Sequence, residues 1–135
     1  SSFSDRSSLQ SRMMIWRSAG RMLQDDWLLG IGPGMFQEKY LENQKYYLPY
    51  LEWAVPHPHN VYLAFWLYGG TAGISGFLLL LFFWWKETMR RPNDPLKLIA
   101  LGIMVSILVH GFFDTTYFKN DLAIIFWLNF LIFKR

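Results

Sequence analysis

Near the start of the chain, apolar residues return at alternating steps of four and three: Leu9, Met13, Trp16, Gly20, Leu23 and Trp27. That is the period of one helix face, so the spacing predicts an amphipathic helix, with Ser4 or Ser7 as its cap and the GIGPG run at 30–34 as its end. After residue 60 the pattern turns from periodic to continuous. Val61–Trp85 is a run of 25 residues without a charge, roughly 37 Å as a helix and enough to cross a bilayer. The polar stretch KETMRRPNDPLK follows, then an apolar run over Leu98–Phe113, the segment DTTYFKND, and a last apolar run over Leu122–Phe133. The pattern therefore predicts an all-α integral membrane chain. Residues 1–60 form an extracytoplasmic loop with its amphipathic helix, and residues 61–135 form a membrane region with spans near 61–85, 96–113 and 117–133.

Charge sets the orientation. The 86–97 loop carries four basic and two acidic residues, and Lys134 and Arg135 end the chain, whereas Lys119 is the one basic residue of the 114–121 loop. Lys and Arg concentrate in short cytoplasmic loops, which places the 86–97 loop and the C-terminus inside and residues 1–60 outside. Composition supports a mixed character: 53% hydrophobic and 19% aromatic residues are too many for a small soluble domain or a disordered chain, and the absence of cysteine excludes a disulfide scaffold. A mean hydropathy of +0.14 is too low for a chain wholly in lipid. The opening SSFSDRSSLQ has no basic n-region followed by an apolar core, so nothing in it would carry residues 1–60 across a membrane. The chain is accordingly expected to be the C-terminal piece of a longer multi-span protein.

Candidate chemistry lies in the outer segment. Arg12 sits beside the apolar stripe on one side, and Arg17 and Arg21, one turn apart, share its other flank. They either solvate a surface helix or neutralise a lipid head group or diphosphate, for which guanidinium forks are suited. Residues 36–55, rich in Tyr and Trp, suit a membrane interface, and also the stacking of sugars. The turn Pro56-His57-Pro58-His59-Asn60 directly precedes the first membrane helix, with Asn60 as its cap. His59 is then either a structural histidine or a general base at a helix start, where the dipole favours anions. Gly69, Gly70, Ala72, Gly73 and Gly76 form a small-residue patch suited to helix packing. His110 and Asp114, four apart at the end of the second span, are either functional or paired. The three histidines are scattered and lack metal-site spacing, so no metal is expected.

Together, DDWLLGIGPGMFQEKY, HPHNVYLAFWLYGGTAGISGF and HGFFDTTYFKNDLAIIFWL, preceded by the Arg12-xxx-Trp16 step, resemble the C-terminal part of the O-antigen ligase and polymerase superfamily of bacterial polysaccharide assembly. The resemblance spans essentially the whole chain, and its strongest element pairs GIGPGxF with His59-Asn60-x-Tyr62-Leu63 before the Gly-Gly helix. It implies a multi-pass inner-membrane glycosyltransferase that moves a glycan from an undecaprenyl diphosphate carrier to an acceptor hydroxyl on the outer face, without a cofactor. Arg12 would match the arginine that holds the diphosphate, with Arg17 and Arg21 as helpers, and His59 the histidine that deprotonates the acceptor. His57, Asn60, His110 and Asp114 are supporting candidates, and His57 leaves the choice of base open. Implied partners are the lipid-linked glycan donor, a glycan, lipid or protein acceptor, and the bilayer, with no nucleic acid. The main rival is a non-catalytic flippase, export or assembly subunit that uses the same arginines for a lipid diphosphate.

Overall fold

The computed structural model describes residues 8–46, 55–90, 94–115 and 120–131, and among these every regular element is helical. The elements are α1 (Ser8–Asp26), α2 (Phe36–Asn43), a 3-10 turn (Gln44–Tyr46), α3 (Val61–Met89), α4 (Leu96–His110) and α5 (Asn120–Leu131). The Ser4 and Ser7 caps lie outside the described residues, as do residues 47–54 of the aromatic-rich segment.

The amphipathic helix forms, but it buries a different face from the one its spacing suggests. Met14, Ile15, Ser18, Ala19, Met22 and Leu23 are buried, whereas Leu9, Met13 and Trp27 are about half exposed. Of the expected stripe, Leu23 is buried in the core and Trp16 packs against it, partly buried. The small side chains of Ser18 and Ala19, both fully buried, explain the choice, because they let α2 and α3 approach α1 more closely than Met13 or Trp27 would. Phe36 and Tyr40 of α2 and Leu67 of α3 complete this first core.

α3 is 29 residues long and, by length and composition, the one described helix long and apolar enough to cross a membrane. It is not a straight rod. At Gly70 the backbone leaves helical space (φ 61°, ψ −155°). Phe65 and Phe77 stack with ring centroids 4.2 Å apart, although twelve residues of continuous helix would separate them by roughly 18 Å. The nine residues before Gly70 therefore fold back against the nineteen after it, and the predicted 61–85 span becomes a helical hairpin. Its longer arm extends about 28 Å, of which the charge-free part, ending at Trp85, is about 22 Å.

The loop after α1 fills the break. Ile31 N–H donates to the Leu67 carbonyl (2.6 Å), Thr71 N–H to the Leu28 carbonyl (3.0 Å), and Trp66 Nε1 to the Trp27 carbonyl (2.9 Å). Groups orphaned by the broken helix thus find partners. Gly30 and Gly70 make the fit feasible. A Cβ on Gly70 would collide with the Leu28 carbonyl, and one on Gly30 with the Leu67 carbonyl. The glycine patch thus has two uses: Gly70 seats the loop, and Gly73 lies against the Phe65 carbonyl of the other arm, the close helix packing that the sequence suggests.

The longer arm of α3 packs with α4 and α5 in a second core of Phe77, Trp84, Ala100, Met104 and Phe126. Asn129, almost fully buried, donates from Nδ2 to the Ala100 carbonyl (3.0 Å), and Trp84 Nε1 donates to the Asn129 carbonyl (3.3 Å). The outer faces are apolar, with Leu79, Phe82, Phe83, Leu98, Ile124 and Leu128 all more than half exposed. Polar groups inside and apolar groups outside are the arrangement lipid favours. α4 and the described part of α5, at 15 and 12 residues, extend about 22 and 18 Å. α4 starts where the predicted span 96–113 does and ends three residues before it.

Candidate functional site

The turn before α3 is where the outer segment and the helical bundle meet. Asn60 caps α3 by accepting from Leu63 N–H (3.0 Å), and its Nδ2 donates to the Phe112 carbonyl (3.2 Å). Val61 N–H donates to the Gly111 carbonyl (2.8 Å), which ties the start of α3 to the turn that ends α4. From the other side, Trp16 of α1 donates its indole N–H to the Pro58 carbonyl (3.1 Å), and its ring lies 6.4 Å from that of Phe113. The turn is held by an amphipathic helix on one side and by the α4 end on the other.

These tethers fix the histidines. His59 has a left-handed backbone (φ 48°), the one such residue besides glycines among those described. A residue with a Cβ adopts that conformation only where its surroundings impose it. Its Nδ1 lies 3.6 Å from Asp114 Oδ1. Asp114 Oδ1 also accepts from Thr115 N–H (2.8 Å), and Asp114 Oδ2 lies 3.9 Å from His110 Nε2. His57 and His59 stand edge to face with ring centroids 4.3 Å apart. One ligand-type atom each from His57, His59 and Asp114 falls within 4.8 Å of the others, and all three residues are half-buried. The histidines that are scattered along the sequence thus converge in space around one carboxylate.

The arginines do not converge. Arg12 is half-buried and sits one turn before Trp16 on the flank that meets the His57–His59 turn. Arg21, nine residues on, points from the opposite side of α1, where its guanidinium stacks over the Tyr46 ring at 4.2 Å. There it lines a cleft of about 270 Å³ with Asp25, Asp26, Lys39 and Glu42. Arg17 is exposed on the same flank as Arg21.

A family model described as O-antigen ligase matches residues 1–78. The chain belongs to the O-antigen ligase family. The match covers α1, α2, the Pro56–Asn60 turn and α3 as far as Leu78, and so includes Arg12, His57 and His59. Membership of the O-antigen ligase family brings a ligase- or polymerase-type membrane function in polysaccharide biosynthesis and an activity of the glycosyltransferase type. With the long apolar helix, it marks a membrane protein of bacterial type. No curated protein and no solved structure searched matches the chain. His110 and Asp114 lie beyond the matched segment. Their approach to His59 depends on the Asn60–Phe112 and Val61–Gly111 bonds, contacts between residues fifty apart that no local spacing announces.

Proposed function

We propose that this chain carries the reacting centre of a membrane glycosyltransferase that moves a glycan from an undecaprenyl diphosphate carrier to an acceptor hydroxyl on the outer face of the membrane. The observation that carries this reading is the His59–Asp114 pair, 3.6 Å apart, in a turn whose Pro58 carbonyl is held by Trp16, one helical turn along α1 from Arg12. With Nδ1 turned to Asp114, the Nε2 of His59 is left to take the proton of the acceptor hydroxyl. The hydroxyl oxygen bonds to the anomeric carbon as the bond from that carbon to the diphosphate oxygen breaks, and the diphosphate leaves with the electron pair. Arg12 meets the charge that builds on the leaving group, through a fork suited to phosphate oxygens. Asp114 orients the imidazole and stabilises it once protonated, and a 3.6 Å separation is in the range such pairs show before substrate tightens them. Asn60 supports by fixing the turn. Residues 1–60 are extracytoplasmic and the C-terminus cytoplasmic in this reading, which follows from the Lys and Arg distribution.

A glycan-transfer assay on the full-length protein tests it. His59→Ala should lower turnover by about 10²- to 10⁴-fold, and unchanged turnover would overturn the assignment. Arg12→Lys keeps the charge but loses the fork, and should lower turnover by about tenfold or more. A non-catalytic flippase would leave the His59–Asp114 pair without a task. Carrier translocation that persists in His59→Ala, in a wild-type protein with no transfer, would favour that rival.

A further inference from the structure

The cluster that holds the base has the composition and spacing of a transition-metal site. We propose that His57, His59 and Asp114 bind one zinc-class divalent ion, and that the bound ion reversibly blocks transfer. The effect on transfer rests on the reading of His59 as base; the ion site itself does not.

The distances argue for it. At 3.6 Å, His59 Nδ1 and Asp114 Oδ1 are too far apart for a good hydrogen bond. Two ligands at tetrahedral angles on a zinc ion, with bonds of about 2.0–2.2 Å, stand roughly 3.4 Å apart. One ligand-type atom from each of the three residues lies within 4.8 Å of the others, near enough to share one ion once an imidazole turns toward it. The ligand types narrow the metal. Two imidazole nitrogens and one carboxylate suit zinc, copper or nickel, whereas magnesium and calcium prefer all-oxygen shells. Three protein ligands would leave a fourth position open.

The site is also built before the ion arrives. Pro58, between the two histidines, is anchored through its carbonyl by Trp16, and the Asp114 turn is anchored to Asn60 and Val61 through Phe112 and Gly111. Thr115 N–H orients the ligating carboxylate oxygen at 2.8 Å, and His110 sits 3.9 Å from the other oxygen. Outer contacts of this kind aim ligands at a metal and raise its affinity. An ion on a ring nitrogen of His59 breaks the arrangement in which that imidazole accepts a proton against Asp114, so transfer stops until the ion leaves.

The test uses the full-length protein in nanodiscs, stripped with EDTA and dialysed, then titrated with zinc chloride against a chromophoric zinc chelator. One zinc per chain should bind, with affinity weakened by on the order of tenfold or more in His57→Gln and in Asp114→Asn, and millimolar magnesium should not compete. Zinc-edge X-ray absorption on the wild-type protein should show two imidazoles, a readout independent of how the variants fold. Equal affinity in both variants, a shell without imidazole, or displacement by magnesium would overturn the site. Zinc at full occupancy should stop transfer, and EDTA should restore it. If zinc binds with its imidazole shell while transfer continues, the ion site stands but blockade and the assignment of His59 as base both fall. If His59→Ala abolishes transfer and wild-type protein binds no zinc, the base stands and the ion site falls.

Discussion

Replacing Gly70 by alanine adds one methyl group at the point where α3 folds back on itself. The backbone there has φ 61° and ψ −155°, a region that in practice only glycine occupies, and a side chain costs about 1–3 kcal/mol in such a place. The new Cβ would also collide with the Leu28 carbonyl, so the 27–31 loop must retreat. That retreat strains the bonds Ile31–Leu67 and Thr71–Leu28, each worth about 1 kcal/mol. The sum is about 4 kcal/mol. Gly69→Ala is the matched control: its Cβ meets nothing within 4 Å, and alanine favours a helix over glycine by about 0.5–1 kcal/mol. Amide hydrogen exchange in nanodiscs reads the difference directly. Loss of about 4 kcal/mol of local protection at Ile31 and Thr71 would speed their exchange by about 10³-fold in Gly70→Ala, while Gly69→Ala leaves them unchanged. Equal exchange in the two variants would refute the hairpin and restore a straight span over 61–85.

Trp16→Phe keeps the ring near Phe113 but removes the indole bond to Pro58. It should cost about 1 kcal/mol in thermal unfolding and several-fold in transfer turnover, and a variant that shifts neither would show that α1 does not hold the histidine turn. Asn129→Ala removes the bond to the Ala100 carbonyl. Polar contacts between membrane helices are worth about 0.6–1.7 kcal/mol, so a denaturant titration in mixed micelles should report a loss of about 1 kcal/mol, and wild-type stability would argue against this contact as a clasp between α4 and α5.

How much of this was legible in the sequence depends on the range of the contacts involved. α1 was readable from its apolar period, but its buried face was not. Two apolar stripes run along that helix, and the choice between them is made by partners that lie across Ser18 and Ala19. The charge-free run over 61–85 was readable as apolar helix, yet its glycines suited helix packing as well as a break. What decides at Gly70 is the arrival of Leu28–Ile31, some forty residues earlier in the chain. Asn60 as a cap was legible because a cap bonds three residues ahead, and the structure has that bond to Leu63. Likewise the pairing of His110 with Asp114 follows from a spacing of four, and the two lie 3.9 Å apart. The approach of His59 to Asp114 could not be read, since it joins segments more than fifty residues apart.

The left-handed backbone of His59 links these observations. A non-glycine residue in that conformation costs about 1–2 kcal/mol, and an unconstrained turn would relax out of it. Here the neighbouring residues on both sides are committed elsewhere: Pro58 to Trp16 through its carbonyl, Asn60 to Phe112 and Val61 to Gly111. Three such bonds, at about 1 kcal/mol each, are enough to offset the strain. Relaxing His59 would swing its imidazole away from Asp114 and would require at least one of those bonds to break. The orientation of the imidazole is therefore set jointly by α1 and by the end of α4. α1 also bears Arg12, one turn from Trp16, so a shift of that helix moves the arginine and the histidine turn together. In the transfer mechanism proposed above, that coupling would hold leaving group and acceptor at fixed separation, and the Trp16–Pro58 bond would be its most direct link.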